Sequence, residues 1–71
     1  MTKANKIKLV GELHALISER KMDEADGFIS RNSCADLRLS YRKTADSMIV
    51  FSKYTIGAGK NKETIVERVE L

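Results

Sequence analysis

This chain contains very little cysteine or histidine. Its 71 residues include one cysteine, Cys34, and one histidine, His14. A single cysteine excludes a disulfide within the chain and is typical of a reducing compartment. One cysteine and one histidine, far apart in the sequence, are also too few for a zinc site. We therefore expect a cytoplasmic protein with no metal and no cofactor.

The chain also lacks a long apolar run. No stretch approaches the ~20 apolar residues that a membrane-spanning helix needs. Lys3, Lys6 and Lys8 imitate the basic start of a signal peptide, but Glu12 and His14 interrupt the apolar segment that follows them. The sequence predicts neither a membrane span nor a secretion signal.

Size and composition indicate one small folded domain that spans residues 1–71. Apolar residues make up 42% of the chain, a fraction typical of a folded protein. A domain of this length buries only about 60% of the surface that its unfolded chain exposes, so its stability is marginal. Because disulfides and metals are excluded, a protein partner or a homo-oligomer is the remaining source of added stability.

Residues 4–32 form the predicted helical part. An amphipathic helix is expected over 4–20 and a second, shorter helix over 22–32. Since no proline separates the two segments, one long helix over 4–31 is an open alternative. Lys6 falls outside the predicted apolar stripe of the first segment. The members of that stripe recur at spacings of three and four: Ile7, Val10, Leu13 and Ile17.

Residues 37–71 form the predicted sheet part, because period-two alternation and β-branched or aromatic residues replace the helical spacing. Short connections favour an antiparallel arrangement. The chain is therefore expected to be an α+β domain, with one or two N-terminal helices packed on a three-stranded antiparallel β-meander (α-α-β-β-β). The predicted elements are a strand over 37–43, a turn over 44–47, a strand over 48–56, a loop over 57–62 and a strand over 63–71.

Cross-strand chemistry predicts the register of this sheet. Pairing Tyr41 with Val50, and Val50 with Val69, places apolar residues opposite each other, and it also places Ser52 opposite Glu67. The inner face, which this register turns toward the first helix, is predicted to consist of Leu37, Leu39, Tyr41, Met48, Val50, Tyr54, Ile56, Ile65, Val69 and Leu71.

The opposite face of the predicted sheet, which we call the outer face, is the most informative surface. It combines four basic side chains with three apolar ones, and a solvated sheet face normally lacks such an apolar group. One interpretation is a partner-binding interface with apolar anchors and a charged rim. The other is that the second helix covers this face. The candidate partner-binding residues are Arg38, Arg42, Ile49, Phe51, Lys53, Val66 and Arg68.

Two ion-binding or phosphate-binding motifs are incomplete. Residues 22–33 align with an EF-hand calcium loop, but Met22 and Ser33 occupy two positions at which the ion needs carboxylates. The segment Gly57–Lys60 has part of a phosphate-binding loop, but Asn61 follows the lysine where the motif requires Ser or Thr. We expect no calcium site, and a flexible hairpin loop at the glycines.

One stretch of the sheet part resembles a known family. Leu37–Tyr41 and Met48–Phe51, followed by Gly57, are similar to the β-hairpin of the bacterial RelE/ParE-type toxins, which also place two helices before a β-meander. The resemblance covers residues 37–57. The family's leading strand has no counterpart here, and its basic and aromatic catalytic positions are not clearly matched by residues 60–62, Lys-Asn-Lys. The resemblance implies RNA contact without residues for cleavage.

These features support three functional classes unequally. The sequence shows no paired carboxylates, no nucleophile beside a base and no metal cluster, so we expect neither an enzyme nor a small-molecule substrate. Small size is typical of phage- or plasmid-borne modulators, and the first expectation is a regulator or inhibitor that binds a protein partner. The alternative is a nucleic-acid-binding regulator that uses the basic outer face. Ten acidic residues among thirteen basic ones, and a single stacking ring at Phe51, favour the protein partner.

Overall fold

The computed structural model describes residues 2–57 and 59–71, in which two helices precede a three-stranded antiparallel sheet. The predicted α-α-β-β-β order is confirmed, and each predicted strand agrees with the observed strand to within one residue at either end. The strand order is β1-β2-β3, so β2 is central and the other two are edge strands. The elements are α1 (Lys3–Ser18), α2 (Met22–Asn32), β1 (Leu37–Lys43), β2 (Met48–Ile56) and β3 (Glu63–Glu70).

The helical part forms two helices, and Arg20 separates them. Its φ of 59° is left-handed, a conformation that glycine usually supplies at the end of a helix. The Arg20 amide donates to the Ile17 carbonyl and the Lys21 amide donates to the Leu16 carbonyl, both at 3.0 Å, which is the Schellman pattern of helix termination. The Arg20 guanidinium also donates to the Ile17 carbonyl at 2.8 Å. Because of this cap, α1 ends at Ser18, two residues before the predicted end.

Both helices pack on the inner face of the sheet. α1 packs against α2 and β2, and α2 packs against β1. Full burial of one such apolar side chain contributes about 1.5–3 kcal/mol relative to exposure. The largest side chains with under 2% exposure are Leu13, Ile17, Leu37 and Val50. The core cluster consists of Val10, Leu13, Ile17, Ala25, Phe28, Leu37, Leu39, Met48, Val50 and Tyr54.

The buried stripe of α1 begins one residue earlier than predicted. Ile7 is 49% exposed, whereas Lys6 is only 5% exposed. The buried residues of α1 are therefore Lys6, Val10, Leu13 and Ile17, which keep the helical spacing of four and three. Placing Ile7 in the stripe and Lys6 outside it was wrong, because the aliphatic stem of a lysine can lie on an apolar face when its ammonium reaches an acceptor.

The register of the sheet matches the predicted one. Tyr41 pairs with Val50, and Val50 pairs with Val69. Met48 and Leu71 exchange both of their backbone hydrogen bonds, at 3.1 and 2.7 Å. Every predicted inner-face residue except Val69 belongs to the core cluster or packs against it. Side chains of the outer face therefore point away from both helices.

Helix α2 lies over the inner face and leaves the outer face open. Ala25 and Phe28 belong to the same core cluster as Leu39, whose side chain is on the inner face. The Tyr41 hydroxyl, also on the inner face, donates to Asp26 Oδ1 of α2 at 2.6 Å. The alternative in which α2 covers the outer face is therefore wrong for this fold.

Two tyrosines of the inner face are tied to carboxylates. The hydrogen bond to Asp26 raises the pKa of Tyr41 above its ordinary value, and burial and the charges of Asp26 and Asp23 raise it further. Burial raises the pKa of Tyr54, and so do its hydrogen bond to Glu67 at 3.0 Å and the charge of that carboxylate. In both cases the folded protein holds the phenol proton more tightly than the unfolded chain.

Val50→Asp should unfold the protein. Val50 is 1% exposed in the central strand, and a buried carboxylate without a partner is among the few changes that cost more than about 4 kcal/mol. Thermal unfolding followed by circular dichroism checks this, with Lys53→Asp as the control on the outer face of the same strand. A cooperative Val50→Asp melt near the wild-type temperature would show that this face of β2 is not the core.

Alkaline pH should lower the free energy of unfolding. The unfolded tyrosines ionise near pH ~10, whereas the folded ones keep their protons to higher pH, so the stability present below pH ~10 is lost above it. Denaturant titrations at pH 9 to 11, compared with the Tyr41→Phe/Tyr54→Phe variant, measure this contribution. Phenolate absorbance of the folded protein that rises at or below the ordinary tyrosine pKa would contradict it.

Candidate functional site

All seven candidate residues lie on the outer face. Strict alternation along three paired strands puts them there, because neighbouring side chains of a strand point to opposite faces. The observed pairs form three rows across the sheet. These rows are Arg38–Lys53–Val66, Ser40–Phe51–Arg68 and Arg42–Ile49–Glu70.

The apolar part of this face is unevenly exposed. Val66 on the edge strand is 70% exposed, and Phe51 is half-buried. Ile49 is only 7% exposed although it lies outside the core cluster and no helix packs on its face. The apolar surface that a partner could contact therefore runs from Phe51 to the β3 edge, and Ile49 contributes little to it.

The basic side chains of the face lack carboxylate partners. Among the residues that the structure describes, the single ion pair is Lys21–Glu19 at 3.4 Å, far from this face in the fold. The one acidic residue in the three rows is Glu70, and its carboxylate accepts a hydrogen bond from Ser47 Oγ at 2.8 Å. Four exposed cations therefore remain without a counter-charge within 4 Å: Arg38, Arg42, Lys53 and Arg68.

Arg38 and Lys53 are directly opposite each other on neighbouring strands. Like charges in this position destabilise a sheet. Both side chains border a surface depression of about 380 Å³, which is also lined by Asp36 and Thr55. Neither Asp36 nor Thr55 was among the candidate partner-binding residues, because Asp36 precedes the strand and Thr55 is an ordinary β-branched strand residue.

Other chemically reactive groups do not assemble into a site. Across residues 2–57 and 59–71, no three side chains of His, Cys, Asp or Glu are placed to share a metal ion. The thiol of Cys34 is exposed and free. His14 Nε2 and Ser52 Oγ are buried without a hydrogen-bond partner. Within the same described ranges, neither helix has the length and apolar character for a membrane crossing.

Comparisons with known proteins add no relative. No protein-family model matches the chain, and no curated protein or solved structure is significantly similar to it. The likeness to RelE/ParE-type toxins therefore stays a local similarity of one hairpin, and no residue role is transferred from that family.

Phe51→Ala should cost far less stability than Phe28→Ala. Phe28 is 8% exposed in the core, where removing a phenylalanine side chain costs about 3–5 kcal/mol, whereas Phe51 is half-buried on an uncovered face. We expect a loss of about 1–2 kcal/mol for Phe51→Ala, in proportion to the smaller area that it buries. Denaturant unfolding of both variants measures the difference. Equal losses would mean that Phe51 is a core residue.

Proposed function

We propose that this chain is a small, cytoplasmic, non-catalytic regulator or inhibitor that binds an acidic surface of a protein partner through its outer face. The observation that carries this proposal is the pair of facing cations, Arg38 and Lys53, on a face that neither α1 nor α2 covers. Two like charges held opposite each other cost folding stability. A carboxylate placed between them would turn that repulsion into two attractive contacts.

The neighbourhood of the pair suits a protein interface. Phe51 and Val66 provide an apolar anchor beside the cations, and Arg68 is paired with Phe51 across β2 and β3. Interface hot spots commonly combine an aromatic anchor with arginine. Charge complementarity determines which partner surface binds and how fast the two proteins associate. An acidic patch with a shallow apolar centre is the matching partner surface.

Nucleic acid is the second candidate, because phosphates would also neutralise these cations. Sequence-tolerant binders of single strands stack successive bases on several aromatic rings. Here Phe51 is the single ring on the outer face, since Tyr41 and Tyr54 point to the inner face and Phe28 lies in the core. This distribution of rings favours the protein partner.

Lys53→Glu should stabilise the fold and abolish partner binding. The new carboxylate would face Arg38, and an opposite-charge cross-strand pair contributes about 0.2–1 kcal/mol, while the acidic partner surface would be repelled. Affinity capture from host-cell extract, with and without nuclease, compares this variant with wild type. Lys8→Glu is the matched control, because Lys8 is exposed on α1 away from the outer face.

Capture that is lost in Lys53→Glu, retained in Lys8→Glu and resistant to nuclease is the expected result. Capture that disappears on nuclease treatment would show that the outer face binds nucleic acid instead of a protein. Capture that Lys53→Glu and Phe51→Ala both leave intact would exclude the outer face as the binding surface.

A further inference from the structure

A second basic feature lies at the start of α1, outside the rows of the outer face. There the helix start meets the ends of the strands around a pocket of about 330 Å³. Two lysines of α1, Lys3 and Lys6, line this pocket together with Lys62, which precedes β3. Asp36, Thr55 and Gly57 also line it. None of these lysines belongs to the proposed partner-binding residues.

Lys6 is the most unusual of the three. It is 5% exposed, and its Nζ donates to the Thr55 carbonyl. An ammonium has three hydrogen-bond donors, and a buried charge is costly unless it is paired. No carboxylate within the described part of the chain comes within 4 Å of this ammonium. An anion in the pocket would supply the counter-charge and the missing acceptors.

The backbone adds to the positive field. The Thr2 hydroxyl caps the Asn5 amide at 3.2 Å, and the first turn of α1 contains no acidic residue, although acidic side chains are usual there. Lys3 occupies this first turn instead. The positive end of the helix dipole and the lysine charges therefore act in the same direction, and both favour an anion.

Gly57 fixes the wall of the pocket next to Lys62. Its φ is 86°, a conformation that a residue with a side chain rarely adopts. A methyl group at Gly57 would also collide with the Asn61 carbonyl oxygen. A side chain at position 57 would therefore displace the Asn61 carbonyl, which directly precedes Lys62.

The charge of the lining indicates the class of anion. Three lysines and one aspartate give the lining a net formal charge of +2. Lysine ammonium groups act as point charges that can surround a tetrahedral oxyanion such as phosphate. We propose that this pocket binds a phosphate dianion, either inorganic phosphate or the terminal phosphate of a small phosphomonoester.

Inorganic phosphate, titrated against chloride at equal ionic strength, tests this proposal by ¹H–¹⁵N NMR. We expect saturable shifts of the Lys3, Asp36 and Gly57 amides, because these residues line the pocket. Glycerol 1-phosphate, used as a second ligand, distinguishes a phosphomonoester from inorganic phosphate as the ligand. Binding of both ligands indicates a terminal phosphate, and binding of inorganic phosphate alone indicates the free ion.

Lys6→Met is the diagnostic variant, since it removes a buried unpaired charge while keeping the stem, and such a change is often neutral or stabilising for the fold. It should weaken phosphate binding by at least about tenfold, because it removes a hydrogen bond from a charged donor. A tenfold loss corresponds to about 1.4 kcal/mol. Lys8 is exposed on the same helix. The Lys8→Met variant should therefore bind phosphate as tightly as the wild type does. Lys3→Met/Lys62→Met changes only exposed lysines and repeats the test if Lys6→Met fails to fold.

Three results would overturn the assignment. These are shifts that chloride reproduces, shifts spread over all surface lysines, and unchanged affinity in both Lys6→Met and Lys3→Met/Lys62→Met. The Phe51→Ala variant, which changes no charge, should bind phosphate normally. Failure of the outer face as an interface therefore leaves this site unaffected, and the converse also holds.

Discussion

The register of β2 determines which side chains of the sheet face the helices and which face away from them. β2 pairs with both β1 and β3, and its side chains alternate between a covered and an uncovered face. A shift by one residue would bring Phe51 and Lys53 into the core and expose Val50 and Tyr54. Both exchanges would cost folding free energy. Burial of the inner-face side chains therefore fixes which residues lie on the outer face. The basic residues of the outer face therefore stay on that face without ion pairs of their own.

Most of the sheet could be predicted from the sequence, because alternation and cross-strand pairing act over a few neighbouring residues. The break between the helices was expected near residue 21, but the sequence left one long helix as an open alternative. A glycine or proline would have marked it, but Arg20 adopts the left-handed conformation itself and binds the Ile17 carbonyl with its side chain. Likewise, Lys6 and Ile7 are adjacent, and only the packing of the strands beneath α1 decides that Lys6 is buried.

The membership of the outer face followed from alternation, but its exposure and charge balance did not. Ile49 and Val66 are both aliphatic residues of this face, yet one is 7% and the other 70% exposed, since one lies on the central strand and the other on an edge. The lack of ion pairs depends on where distant carboxylates fall in space. Glu70, for example, reaches Ser47 and none of the basic residues of the face. Such distances are set by the whole fold and have no local signal.

Positive charge gathers at one end of the molecule, where α1 begins and where β2 joins β3. The two depressions at this end are lined by five basic residues and one acidic residue, a net +4, while the whole chain carries +3. These residues are Lys3, Lys6, Arg38, Lys53 and Lys62, with Asp36.

Concentrated like charge destabilises the compact state, and a ligand that binds only the folded chain stabilises it by mass action. The same positive charges would attract both the acidic partner proposed for the outer face and the phosphate proposed for the α1 pocket. Each bound anion would therefore weaken the attraction for the other. Because binding free energies are reciprocal, the two affinities would fall by the same factor.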